Sequence, residues 1–122
     1  MLKQYVIVPK RPRMSPGKIA SQVAHATFMA LKEQKYQFWS EDNNKKIIDV
    51  WEKTGMCVIV LQCKNEIKLH GIAKYLDQWG IPYHLYIDEG MTEISMGTAT
   101  ALATGIIEED KQWMFETMKL YK

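Results

Sequence analysis

The succession of apolar runs and helix-patterned segments predicts an α/β fold, a single-layer mixed four-stranded sheet covered by helices on both faces. Three observations carry this expectation. Tyr5–Val8, Met56–Cys63, Tyr83–Ile87 and Thr100–Thr104 are strand-length runs bounded by turn or helix-start residues. Helical periodicity fills the intervals after the first and second runs, giving the order β-α-α-β-α-β-β-α. The connection between the third and fourth runs is short, which implies a locally mixed sheet.

Each element has a local cause. Tyr5–Val8 is stopped by Pro9 and the polar Lys10-Arg-Pro-Arg13 loop. Ser15 has N-cap chemistry and Pro16 suits the first helical position, so a helix is expected over about Pro16–Lys35. Ser40, Asp42 and Asn43 offer caps for a second helix with Ile47, Ile48 and Trp51 as its apolar face, ended by Gly55. The continuous run Met56–Cys63 reads as a strand buried on both faces. Asn65 opens a third helix with Leu69, Ile72, Ala73 and Leu76 at core spacing, and it closes at Gly80 before Pro82. Tyr83–Ile87 delivers Asp88 at its carboxyl end, and Thr100–Thr104 is a small-residue fourth strand. Glu108, Glu109 and Asp110 then open a last helix ending in Lys119 and Lys122, charges that suit the helix dipole.

Composition narrows the function classes. The 122 residues suffice for one domain with one core, and the net charge of +2 permits an anionic partner without demanding one. Cys57 and Cys63 would lie about 20 Å apart on an extended strand, out of disulfide reach, so free thiols in the cytoplasm are expected. No stretch has the length of a membrane span or a signal sequence, so no membrane partner is expected. Gly17-Lys18 fails as a phosphate loop because Pro12 and Ile19 stand where Gly and Ser or Thr are needed. Gly97 to Gly105 lacks dinucleotide spacing. His25, His70 and His84 sit on different elements without metal-ligand spacing, so no metal is expected.

Two motifs remain. Lys18, Gln22, His25 and Met29 fall at i, i+4, i+7 and i+11, one stripe on a helix otherwise small or apolar. In open α/β sheets ligands gather beyond the carboxyl ends of strands, which makes Asp88 and the start of the first helix expected neighbours. Each residue also has a plainer reading. Lys18 would be a first-turn surface lysine, Asp88 a turn cap, His25 a packed histidine, and Thr98 and Thr100 β-formers. Tyr83, Tyr86 and the tryptophans read as core or interface rather than as stacking platforms.

Met14, Gly17, Lys18, Ala20, Gln22, His25 and Ala26, followed later by Asp88, Gly90, Thr92, Ile94, Gly97, Thr98 and Thr100, resemble the two motifs of the type 2 peptidyl-tRNA hydrolase family. The chain departs from the family pattern at Pro9, Arg11 and Pro12 before the first motif, at Glu89 and Met96 in the second, and at Gly105-Ile106 after the last strand. The resemblance implies a cofactor-free hydrolase that cleaves the ester between a peptide and the terminal ribose of tRNA, recycling stalled peptidyl-tRNA. It implies catalytic roles for Lys18, Asp88, Thr92 and Thr98, and contact of Gln22 and His25 with the site or the tRNA acceptor end. Lys10, Arg11 and Arg13 are expected to meet tRNA phosphates, with Lys45 and Lys46 as a second basic group. A homodimer is also implied, with Trp113, Phe115 and Tyr121 as apolar contacts. Two other readings stand beside this one: a non-catalytic RNA- or protein-binding module, and a hydrolase of another ester or amide.

Overall fold

The computed structural model describes residues 1–36, 41–90 and 94–122. Its elements are β1 (Lys3–Pro9), α1 (Pro16–Lys35), α2 (Glu41–Lys53), β2 (Val58–Cys63), α3 (Glu66–Gln78), β3 (Tyr83–Ile87), β4 (Ala99–Ile107) and a 3₁₀ helix over Glu109–Met114. The sheet order is β2-β1-β4-β3. β1 is parallel to β2, and β4 is antiparallel to both β1 and β3. β1 and β3 therefore run the same way, and Pro9 and Ile87 reach the same edge of the sheet.

Strand alternation sorts the core into two layers. Val6 and Val8 face α1, packing with Met14, Ala26 and Ala30. Tyr5 and Ile7 face α3 and pack with Leu69, Leu76 and Phe115. α2 covers one end of the first layer through Ile48 and Trp51 against Ile106. Ala101 and Ala103 of β4 meet Ala26 and Ala30 of α1, so small side chains on both sides let helix and strand approach closely. The approach is tightest at Gly105, where a Cβ would come 2.6 Å from Gln34 Oε1. Buried Gln34 uses both ends of its amide on β4, donating to Ile106 O (3.2 Å) and accepting from Ile106 N (2.7 Å).

Several expectations need correction. The terminal segment is a short 3₁₀ helix rather than a helix reaching Lys119. Gln112 and Phe115 are buried there, and Phe115 stacks on Tyr5 at 4.3 Å, which makes it a core residue and not a dimer contact. Beyond it the chain straightens along the open edge of β2: Gln62 N donates to Lys119 O (2.9 Å) and Tyr121 N to Val60 O (3.0 Å). Unpaired edge groups of β2 compete successfully for backbone that a helix would otherwise use. β2 itself is an edge strand with only Leu61 fully buried, so its continuous apolar run did not mean burial on both faces. β4 is longer than Thr100–Thr104 and buried throughout, because its alanines and Gly105 are what the adjoining helix requires. Asp42 and Asn43 lie inside α2, and Ser40 falls outside the described residues.

Asn65 caps α3 as expected, its Oδ1 accepting from Lys68 N at 3.0 Å. Cys57 and Cys63 are free, and burial pushes the Cys63 thiol up to about 11, leaving it protonated and unreactive near neutrality. No described helix is long and apolar enough to cross a membrane.

Overpacking the α1–β4 seam should be costly. Ala26→Leu is expected to destabilise the fold by about 1–3 kcal/mol, read as a lower urea midpoint. An unchanged midpoint would show that the seam has slack.

Candidate active site

The site begins with the cap of α1. Ser15 is extended (φ −65°, ψ 157°) and its Oγ accepts from Lys18 N at 3.3 Å, with Pro16 opening the helix. This puts Lys18 on the first turn at the same edge where β3 ends. Lys18 Nζ donates to Asp88 Oδ1 at 2.6 Å, and the two side chains are only 8 % and 6 % exposed. Asp88 also closes its own turn, because Oδ2 accepts from Gly90 N at 2.8 Å. The turn-cap and ion-pair readings of Asp88 thus hold together.

The loop behind Asp88 is tied down by backbone. Asp88 N donates to Thr98 O (2.8 Å), and Gly97 N donates to Asp88 O (2.9 Å). Gly90 (φ 76°) lies so close to Met96 that a Cβ would sit 2.6 Å from its backbone nitrogen, so only glycine fits. Thr98 is half-buried and its Oγ1 donates to Ser95 O at 2.8 Å, which leaves its lone pairs to accept. Thr92 lies outside the described residues.

One turn along α1, Gln22 is buried and its Oε1 accepts from the hydroxyl of buried Thr100. This bond anchors the helix to β4 beneath the ion pair. His25 is exposed and stacks on Tyr86 of β3, with ring centroids 4.8 Å apart and planes 15° apart. Ser21 Oγ lies 3.4 Å from His25 Nε2. Farther down, Glu33 and His84 pair at 2.5 Å. α1 thus runs along β3 with three cross-links in register: Lys18 to Asp88, His25 to Tyr86, and Glu33 to His84.

Lys10, Arg11 and Arg13 line an open groove of about 780 Å³ beside Ser15 and Pro16. Tyr121 and Lys122 complete it, with Lys10 Nζ 4.4 Å from the Tyr121 ring centroid. Lys45 and Lys46 are on α2, which packs at the Ile106 end of β4, away from Asp88.

Sequence reasoning takes Tyr86 as core or interface rather than as the ring that His25 stacks on, and does not single out the Gln22–Thr100 bond or the part played by Tyr121 and Lys122. Strand alternation held a signal for Tyr86, since residues 84, 86 and 88 share a face. For Tyr121 and Lys122 nothing local signals the groove, which depends on the terminal segment pairing with β2.

Electrostatics follow from the geometry. The hydrogen bond from Lys18, helped by the Gly90 N–H and by the charges of Lys18 and His25, holds the Asp88 carboxyl below the usual carboxylate range against the opposing effect of burial. Among the described residues each carboxylate oxygen has one donor, and the Lys18 ammonium uses one of its three N–H groups.

A carboxylate held below its usual range by an ammonium, beside a groove lined by Lys10, Arg11 and Arg13, is the candidate active site of this α/β protein. The family described as peptidyl-tRNA hydrolase PTH2 matches residues 2–121. Similar proteins include the peptidyl-tRNA hydrolases of Nanoarchaeum equitans, 35% identical with 99% of this chain and 100% of that protein covered, and of Thermococcus onnurineus, 36% identical with 88% and 86% covered. The peptidyl-tRNA hydrolase of Methanopyrus kandleri is 33% identical, with 91% and 90% covered. The chain belongs to the PTH2 family of peptidyl-tRNA hydrolases.

The pair should leave a signature in stability. A carboxyl depressed by folding contributes stability above its unfolded value near 3.9, lost as pH falls through the lower folded value. The stability gap between wild type and Lys18→Met should therefore be full at about pH 6 and shrink below about pH 4. Urea unfolding across that range checks it, and a gap that stays constant into acid would show that Lys18 does not hold the carboxylate ionised.

Proposed function

We propose that this protein, acting as one domain in the cytoplasm, hydrolyses the ester joining a peptide to the terminal ribose of tRNA. The observation that carries this reading is the Lys18–Asp88 pair, 2.6 Å apart at the strand edge beside a basic groove, in a member of this family.

Ester hydrolysis needs an oriented water, stabilisation of the carbonyl oxygen as it gains charge, and a proton for the departing ribose oxygen. In this reading the spare lone pairs of Asp88 orient the water. Its lowered pKa keeps it ionised throughout the neutral range but makes it a weak base, so orientation is the larger part of its role. A free N–H of Lys18 faces the oxyanion. The water oxygen bonds to the carbonyl carbon and gives up a proton, the C–O bond to ribose breaks, and that proton passes to the departing ribose oxygen. Free peptide and tRNA are released. Thr98, whose own proton is committed to Ser95 O, accepts from water or from a ribose hydroxyl. Thr92 belongs to the same proposal. Gln22 holds the helix in place through Thr100, His25 meets the acceptor end, and Lys10, Arg11 and Arg13 meet the phosphates. Homodimerisation is part of the reading, with exposed Trp79 and Trp113, edge to face at 5.5 Å, as the apolar contact available to it. A non-catalytic binding module is not favoured, because the family matched over residues 2–121 and the similar proteins are peptidyl-tRNA hydrolases.

Lys18→Ala and Asp88→Asn, each confirmed folded by circular dichroism, are expected to lower kcat on peptidyl-tRNA roughly 10²- to 10⁴-fold. Near-wild-type turnover by either would remove that residue from the mechanism. Turnover of a small ester in preference to peptidyl-tRNA would point instead to a different substrate. Separately, kcat/KM should fall steeply as salt rises from about 50 to about 200 mM, and Arg11→Ala combined with Arg13→Ala should flatten that slope. A wild-type rate indifferent to salt would remove the phosphate contacts.

A further inference from the structure

We infer that the exposed ring of His25, backed by Tyr86, is the stacking platform for the terminal base of the RNA, and so fixes where the ester lies on the Lys18–Asp88 pair. This deepens the proposed function and rests on it.

The first observation is the stack. Tyr86 covers one face of the imidazole at 4.8 Å and near-parallel planes, while His25 itself is exposed. Tyr86 is half-buried against the α1 layer of the core, and Ser21 Oγ sits 3.4 Å from Nε2. A surface histidine held flat against a rooted ring has already lost the freedom that stacking would cost. Unpaired RNA ends are recognised by laying bases on such aromatic faces.

The second observation is order along α1. The basic groove reaches Ser15 and Pro16, the ammonium is at Lys18, and His25 lies seven residues on, about 10 Å at the helical rise. On β3 the same interval is Tyr86 to Asp88, about 7 Å. Groove, ammonium–carboxylate and ring thus follow one another in the order phosphate, ribose and base of a single nucleotide. A ribose over the catalytic pair has its phosphate toward Arg11 and Arg13 and its base toward His25. The opposite face of β3 offers exposed Ile87, which has no ring to receive a base.

The test uses the full-length protein with peptidyl-tRNA, and with deacylated tRNA carrying 2-aminopurine in place of the terminal adenine. His25→Ala is expected to raise KM roughly 5- to 100-fold and to lower kcat much less. His25→Phe should recover most of the KM loss and His25→Leu should not. The fluorescence of 2-aminopurine should be quenched on binding to wild type and to His25→Phe, but not to His25→Ala. With a peptidyl-tRNA whose terminal base is removed, the KM difference between wild type and His25→Ala should vanish. The inference is overturned if His25→Leu rescues as well as Phe, if quenching survives His25→Ala, or if the KM penalty persists without the base. The quenching experiment needs no turnover, so a wild-type protein that binds and quenches but does not hydrolyse would sink the proposed reaction and leave the platform standing.

Discussion

The close approach of α1 to β4 is the constraint on which the site depends. Ala26 and Ala30 on the helix and Ala101, Ala103 and Gly105 on the strand leave no bulk between the two backbones, and Gln22 and Gln34 reach across to bond Thr100 and Ile106. Larger residues would give more apolar burial but would lift the helix from the sheet. Lys18 would then no longer reach Asp88, seventy positions away in sequence. The amide and hydroxyl bonds are buried, so misplacing the helix strands polar groups without partners, a cost of about 1–3 kcal/mol for each group left unsatisfied. Small residues permit the approach, and the buried polar bonds make it specific. The geometry of the Lys18–Asp88 pair is in this sense a by-product of how the helix packs.

That packing sets the character of the carboxylate. Asp88 accepts from an ammonium on one oxygen and from a backbone N–H on the other. Both donors favour the charged form, and they outweigh the burial that opposes it. A group tuned this way gives up basicity in exchange for a fixed charge and fixed lone-pair directions. Ester cleavage tolerates that exchange well, because preorganised electrostatics toward the charge that develops commonly supply more than proton abstraction does. Lys18 gains equally: an ammonium already paired and largely withdrawn from water presents its remaining donors in set directions.

The legible part of this structure was the part written locally. Ser15 and Pro16 open α1, Asn65 opens α3, and the apolar run Tyr83–Ile87 after Gly80 and Pro82 marks β3, because each depends on neighbours in sequence. From these, topology alone put the start of α1 near the end of β3. The terminal segment departs from the helix that its acidic residues followed by lysines suggest, because the competing demand comes from the unpaired edge of β2 some sixty residues away. β2 misled for a related reason, since a continuous apolar run does not say how many strands flank it. At the site, spacing marked the stripe of Lys18, Gln22 and His25 but not what each would meet. The Thr100 and Tyr86 partners depend on the register of α1 against the sheet, which is a tertiary quantity.

Three of the positions where this chain departs from its family's pattern, Arg11, Glu89 and Met96, lie at the surface, whereas Pro9 and Ile106 are buried. Arg11 lines the open groove, Glu89 is exposed, and Met96 is among the most exposed apolar residues, packed by its backbone over Gly90. None of these side chains reaches into the frame formed by Lys18, Gln22, Asp88 and Thr100. The two sets obey different physics. A buried, hydrogen-bonded frame tolerates few replacements, because each change leaves a partner unsatisfied, whereas exposed loop residues change at little cost to the fold. Divergence at these exposed positions places positive charge at Arg11 and apolar surface at Met96, while the buried bonds beneath are left in place.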